Sequence, residues 1–140
     1  MGTAGGDDLA VIKSFLGQQL GTAGGDDLAV IKSFLGQGIE AQNSATQWLL
    51  ATMAQDASSV MAMSVNYLML VGYVCGGWQM ARAALVAQQK LAAGDDPEFH
   101  EAKLITARFY AEQILPKATA LMSAITAGGK STLALAEGQF

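Results

Sequence analysis

A few places in this 140-residue chain combine side chains that could bind or react. Gly129-Lys130-Ser131 has the order of residues that ends a phosphate-cradling loop, where backbone N–H groups, a lysine and a hydroxyl hold an anion. That loop also needs glycine at position 124, where Ala124 stands, and a preceding strand. The residues upstream have helical spacing instead, so Gly128-Gly129 is read as a helix stop. Glu98, His100 and Glu101 share the first turn of a helix, but a di-iron bundle draws Glu-x-x-His from two helices. His100 is the chain's one histidine, so the trio is read as a solvated helix face. Cys75, the one cysteine, excludes an internal disulfide and an all-cysteine metal cage. With no basic neighbour to stabilise a thiolate, it is read as a small buried hydrophobe.

The acidic pairs Asp7-Asp8 and Asp26-Asp27 lack further carboxylates at calcium-loop spacing, and are expected to cap helix N-termini. Arg108, set among Thr106, Ala107, Phe109 and Tyr110, needs a partner beside an apolar stripe. Glu112, four residues on, is the nearest carboxylate in sequence. Asn66 sits in an apolar segment and is expected to bond across the bundle and fix its register. Met53, Met61, Met63, Met69 and Met80 are read as core filling. No residue receives a catalytic, cofactor-binding or metal-binding assignment.

The elements that carry these residues read as helices. Ala, Leu, Met and Gln dominate a chain that is 51% hydrophobic with only 2 prolines, so the expected class is all-α: an antiparallel bundle of about four helices. Leu28, Ile31, Leu35 and Ile39 start a helix that continues through Trp48, Leu49 and Met53, with Gly36 and Gly38 as possible kinks. Residues 57–81 carry no charge and are long enough to span a bilayer, with Gly72 and Gly76 at close-packing spacing. Ser58, Ser59, Ser64, Asn66 and Gln79, and the lack of flanking basic clusters, favour a central helix of a soluble bundle over a small membrane protein. Arg82–Leu91 carries that helix outward to a stop at Ala92-Ala93-Gly94. Asp96 as N-cap and Pro97 at the first helical position then start its hairpin partner, in which Pro116 should produce a kink. The expected core runs from about residue 38 to 127, with Tyr67, Leu68, Val71, Leu104, Ala111, Ile114 and Leu121 inside.

Gly2–Gln18 reappears without one change as Gly21–Gln37. Two copies are too few for a solenoid, so residues 1–20 are read as a duplicated leader, a scar or extra helix, dispensable for folding; residues 21–140 form the bundle. Eight basic against 12 acidic residues give a net charge of −4 without a basic stripe, which excludes phosphate-backbone recognition and hence nucleic acid as a partner. With no basic-then-apolar start and one cysteine, a reducing cytoplasmic setting is expected.

Asn66-Tyr67-Leu68 with Gly72, then Trp78 and Ala81–Ala84, then Phe99, Lys103 and Thr106-Ala107-Arg108-Phe109-Tyr110 with Leu115-Pro116, form a series. Over roughly Gly25–Phe140 this series resembles the C-terminal helical domain of large acyl-CoA dehydrogenases, the long-chain type that includes the methylmercaptopropionyl-CoA dehydrogenases. The Ala-Arg-Phe-Tyr segment with its Leu-Pro is the most specific part. One departure is Asn66, where relatives often carry proline before Tyr-Leu; the other is the first repeat copy. The resemblance implies oxidation of an acyl-CoA at its α and β carbons, with FAD as hydride acceptor and a glutamate as base. It places both in preceding domains, so no cofactor is expected in this chain. A chain of this length cannot also hold a flavin domain and a substrate domain. The expectation is a non-catalytic structural module that pairs with itself, most simply as a dimer, or packs on the catalytic domains of an acyl-CoA dehydrogenase. The alternative is a stand-alone partner of a separate flavoprotein.

Overall fold

The computed structural model describes residues 4–139, with side chains from Leu9 onward. The helices are α1 (Ala4–Gln18), α2 (Asp26–Met53), α3 (Ala57–Ala62), α4 (Ser64–Ala92), α5 (Pro97–Gln113) and α6 (Pro116–Ala127). A 3-10 turn follows at Glu137–Gln139, and no strand occurs among the described residues. The protein is an all-α bundle, as its composition dictates.

Three rods make the core. Gln88 donates to the Gly24 carbonyl near one end of α2, and Thr46 shares a 2.8 Å hydrogen bond with the Tyr67 hydroxyl towards the other, so α2 and α4 are antiparallel. The α4–α5 hairpin turns at Gly94, whose φ of 74° suits a residue without a Cβ. The amides of Asp95 and Gly94 donate to the Lys90 and Leu91 carbonyls, which satisfies two orphan acceptors at the end of α4. Asp96 then accepts from the Phe99 amide at 3.3 Å, and Pro97 opens α5, as its sequence requires. The α5 and α6 helices run on together alongside α2, packing on both α2 and α4. Leu28, Ile31, Leu35, Leu70, Val74, Ala81, Ala107, Leu115 and Ile125 are buried where these rods meet.

Four expectations about the helices need correction. Pro116 does not kink one helix but separates two, because it cannot supply an amide to the ladder and therefore starts α6 afresh. The charge-free stretch is likewise divided at Met63, three residues before Asn66. α2 runs through Gly36 and Gly38 as one helix. The core face of α4 also differs from expectation: Leu68 is 71% exposed, while Leu70, Val74, Ala81 and Ala84 are buried. Of the remaining expected core, Ala111 is buried, and Tyr67, Leu104 and Leu121 pack half-buried against the cluster. Val71 and Ile114 are also half-buried. A nearly all-apolar helix offers no polar stripe to select its buried face, so close approach decides instead. A Cβ on Gly77 would lie 2.7 Å from Leu115 Cδ2, so glycine is what lets the α5–α6 junction seat against α4.

The α1 helix packs on α2. It buries Leu9, Ile12 and Phe15, and Leu20 just beyond it, in the common apolar cluster. Asp7 and Asp8 fall within α1, but the expected capping by their side chains lies outside the described residues.

Candidate functional site: the Arg108 carboxylate cluster

Arg108 projects from α5 with its side chain 34% exposed. Its Nε donates to Glu112 Oε1 at 2.9 Å, the partner expected from the i, i+4 spacing. Its Nη1 reaches Asp26 Oδ2 at 2.8 Å and Asp27 Oδ1 at 2.9 Å, across to the first turn of α2. The three carboxylates raise the guanidinium pKa still further above its ordinary value, the Asp26 hydrogen bond contributing most. Asp26 and Asp27 stand in the first turn of α2, at the positive end of its dipole as expected, but the expected capping bond is not made. Gly25, at φ 115°, is the N-cap position, and no side chain caps α2. The acidic pair instead ties the second repeat copy to α5. Nothing local in the sequence signals this, because the partners lie far apart along the chain.

Chemically the cation is fully compensated by acidic charge. An arginine held by three acids has no proton to exchange at neutral pH, and the geometry suits a clamp, not an acid–base centre. Beside it, Tyr110 donates to the Tyr73 carbonyl at 3.1 Å, and burial pushes its hydroxyl pKa up.

The other singled-out residues are dispersed. Glu98 and Glu101 are exposed, and His100 is half-buried with its ring edge-on to Phe99, centroids 5.1 Å apart. No group of three potential metal ligands occurs among the described residues. Gly128, at φ 82°, is the C-cap of α6, and Lys130 and Ser131 lie exposed beyond it. Cys75 is half-buried against the core, less enclosed than expected. The Asn66 amide donates to Met63 Sδ at 3.9 Å, within its own turn, instead of across the bundle; near it Thr46–Tyr67 is a polar bond that does cross between α2 and α4. Met63 is buried and Met80 packs half-buried on the core, but Met53, Met61 and Met69 are exposed, contrary to the core-filling expectation. No helix among the described residues is long and apolar enough to cross a membrane.

An antiparallel α2–α4 pair, a Leu-Pro junction seated on glycine and an Ala-Arg-Phe-Tyr helix clamped to α2 define an all-α helical domain. The family model described as "Acetyl-CoA dehydrogenase C-terminal like" matches residues 9–136, and the chain belongs to that family. The match takes in most of α1, so the likeness starts earlier than the expected Gly25. The chain is 46% identical over 85 residues, 61% of its length, to 3-methylmercaptopropionyl-CoA dehydrogenase of Ruegeria pomeroyi. It is 34% identical over 108 residues, 73% of its length, to the broad-specificity linear acyl-CoA dehydrogenase FadE5 of Mycobacterium tuberculosis. These alignments span 14% and 18% of the relatives' lengths.

Proposed function

We propose that this chain is a non-catalytic module of an FAD-dependent acyl-CoA dehydrogenase, which holds an assembly together while other domains oxidise the thioester. One observation carries the reading: the outward face of α4 presents Val65 and Leu68, 68% and 71% exposed, and α5 presents Ile105 and Phe109. Apolar side chains at helical spacing on an outer face suit burial against another surface. A second copy, pairing the same face about a two-fold axis, is the simplest partner, and the catalytic domains of the dehydrogenase are the alternative. The described residues do not fit a catalytic flavin. They contain no strand-to-helix glycine turn of the kind that cradles a dinucleotide's phosphates. The single cysteine supports a reducing, cytoplasmic setting.

Light scattering on the purified chain tests the association. A dimer mass at high micromolar concentration, falling to a monomer mass in Leu68→Asp, is expected. A wild-type monomer at that concentration overturns self-pairing. A yellow protein carrying stoichiometric flavin overturns the non-catalytic reading.

A further inference from the structure

Two grooves meet at Arg82. One, of about 410 Å³, runs between α4 and α5 and includes Gln79, Arg82, Val86, Phe99, His100 and Lys103 in its lining. The other, of about 470 Å³, lies between α1 and α4 and is floored by Phe15 and Trp78. Among the described residues their cations form no ion pair with a carboxylate. Arg108 is charge-compensated by three carboxylates and Lys90 is paired with Asp95 at 2.9 Å, whereas Arg82 and Lys103, like Lys117 on Tyr73, are held by π faces. The Arg82 guanidinium sits 5.5 Å from the Trp78 ring centroid and gives one bond, at 3.2 Å, to Gln79 Oε1. Lys103 Nζ sits 5.1 Å from the Phe99 ring centroid. Such contacts orient a cation without neutralising it, and both side chains remain exposed with donors to spare.

No carboxylate lines either groove among the described residues. Asp95, which feels the charge of His100, is already bound by Lys90. Three buried side-chain polar atoms lack a partner in the described chain, and two of them, Trp78 Nε1 and His100 Nδ1, belong to residues lining these grooves. Phe99 and Val86, each 52% exposed, add an apolar wall beside the cations. A fork of guanidinium donors next to an ammonium matches the oxygens of a phosphate, and the apolar wall matches what the phosphate is esterified to.

We propose that the groove between α4 and α5, with Arg82 and Lys103 as its anion-holding pair, binds an organic phosphate. The source is a soluble phosphate ester or an anionic lipid headgroup, which share this chemistry. The site stands apart from the association proposed above, because it needs neither a partner nor a flavin.

Trp78 lies in the neighbouring groove but carries the Arg82 guanidinium on its ring, so it reports on anion binding to Arg82 when Trp48→Phe leaves it as the sole indole. The expected result is a saturable fluorescence change with phenyl phosphate and a weaker response to inorganic phosphate, with none to phenol. Arg82→Gln and Lys103→Gln should each weaken phenyl phosphate binding roughly tenfold. Lys117→Gln, which alters a cation over the Tyr73 ring outside the groove, should leave it unchanged. Binding only to phosphatidylglycerol vesicles, abolished in the same two variants, would assign the phosphate to a lipid. No saturable response to phenyl phosphate or vesicles, or equal binding by the Arg82→Gln/Lys103→Gln double variant, overturns the proposal. Both substituted residues are exposed, and far-UV circular dichroism confirms that each variant is folded.

Discussion

Arg108 illustrates how one side chain can join elements that are remote in sequence. Its three carboxylates lie on two helices, so replacing it with methionine keeps much of the apolar stem while leaving Asp26, Asp27 and Glu112 without their shared cation. Because Asp26 is largely solvated, the expected effect is local. Amide hydrogen exchange should accelerate in the first turns of α2 and not in the centre of α4, and the wild-type protection there should weaken with added salt. Unchanged exchange at Asp26–Ile31 would show that the clamp contributes nothing. The carboxylates of Asp56 and Asp95 carry a pH dependence. Hydrogen bonding to Ser59 holds the Asp56 pKa below its ordinary value, and Lys90 does the same for Asp95. A depressed acid stabilises the fold above its unfolded pKa of 3.8, and that contribution is lost as pH falls through the lower folded value. Acidification below about pH 4 should therefore fray α3 and the α4–α5 turn first, which backbone chemical shifts across a pH titration would reveal.

At the level of helices, close approach outweighs periodicity. Gly77 seats Leu115, so Gly77→Val forces a side chain into the α4 junction with α5 and α6 and should cost about 1–3 kcal/mol, measured by urea unfolding. Leu115→Ala, which empties the same contact from the other side, should cost about 2–5 kcal/mol. Helix boundaries were legible in the sequence where local chemistry sets them: Asp96-Pro97 opens α5, and Gly94 and Gly128 close α4 and α6. The buried face of α4 was not, because residues 57–81 are apolar nearly all round, and Leu68 is no more polar than Leu70. The Arg108 clamp was half legible. Glu112 follows from helical spacing, but Asp26 and Asp27 look like capping residues until the tertiary packing brings α5 across them.

For the whole molecule, the repeat places one sequence in two environments. In α1 the buried set is Leu9, Ile12 and Phe15, with Leu16 half-buried; in α2 it is Leu28, Ile31 and Leu35, with Phe34 half-buried. The identical strip is thus turned slightly between copies, since α2 is packed by α4, α5 and α6 while α1 rests chiefly on α2. We propose that residues 1–20 act as an extra helix on a bundle formed by residues 21–140, and that the repeat is more than a scar. Ile12 and Leu20 are each 1% exposed, which a passive leader does not require. Burying such a side chain contributes about 1.5–3 kcal/mol, and ordering the helix backbone offsets part of this. Deleting residues 1–19 should therefore lower unfolding stability by more than about 1 kcal/mol and uncover apolar surface on α2, raising binding of an apolar dye. Ile12→Asp in the full chain should reproduce the loss by detaching α1 while leaving its sequence otherwise intact. If truncation leaves both the urea midpoint and the light-scattering mass unchanged, the first copy is dispensable and its packing on α2 adds nothing to the fold.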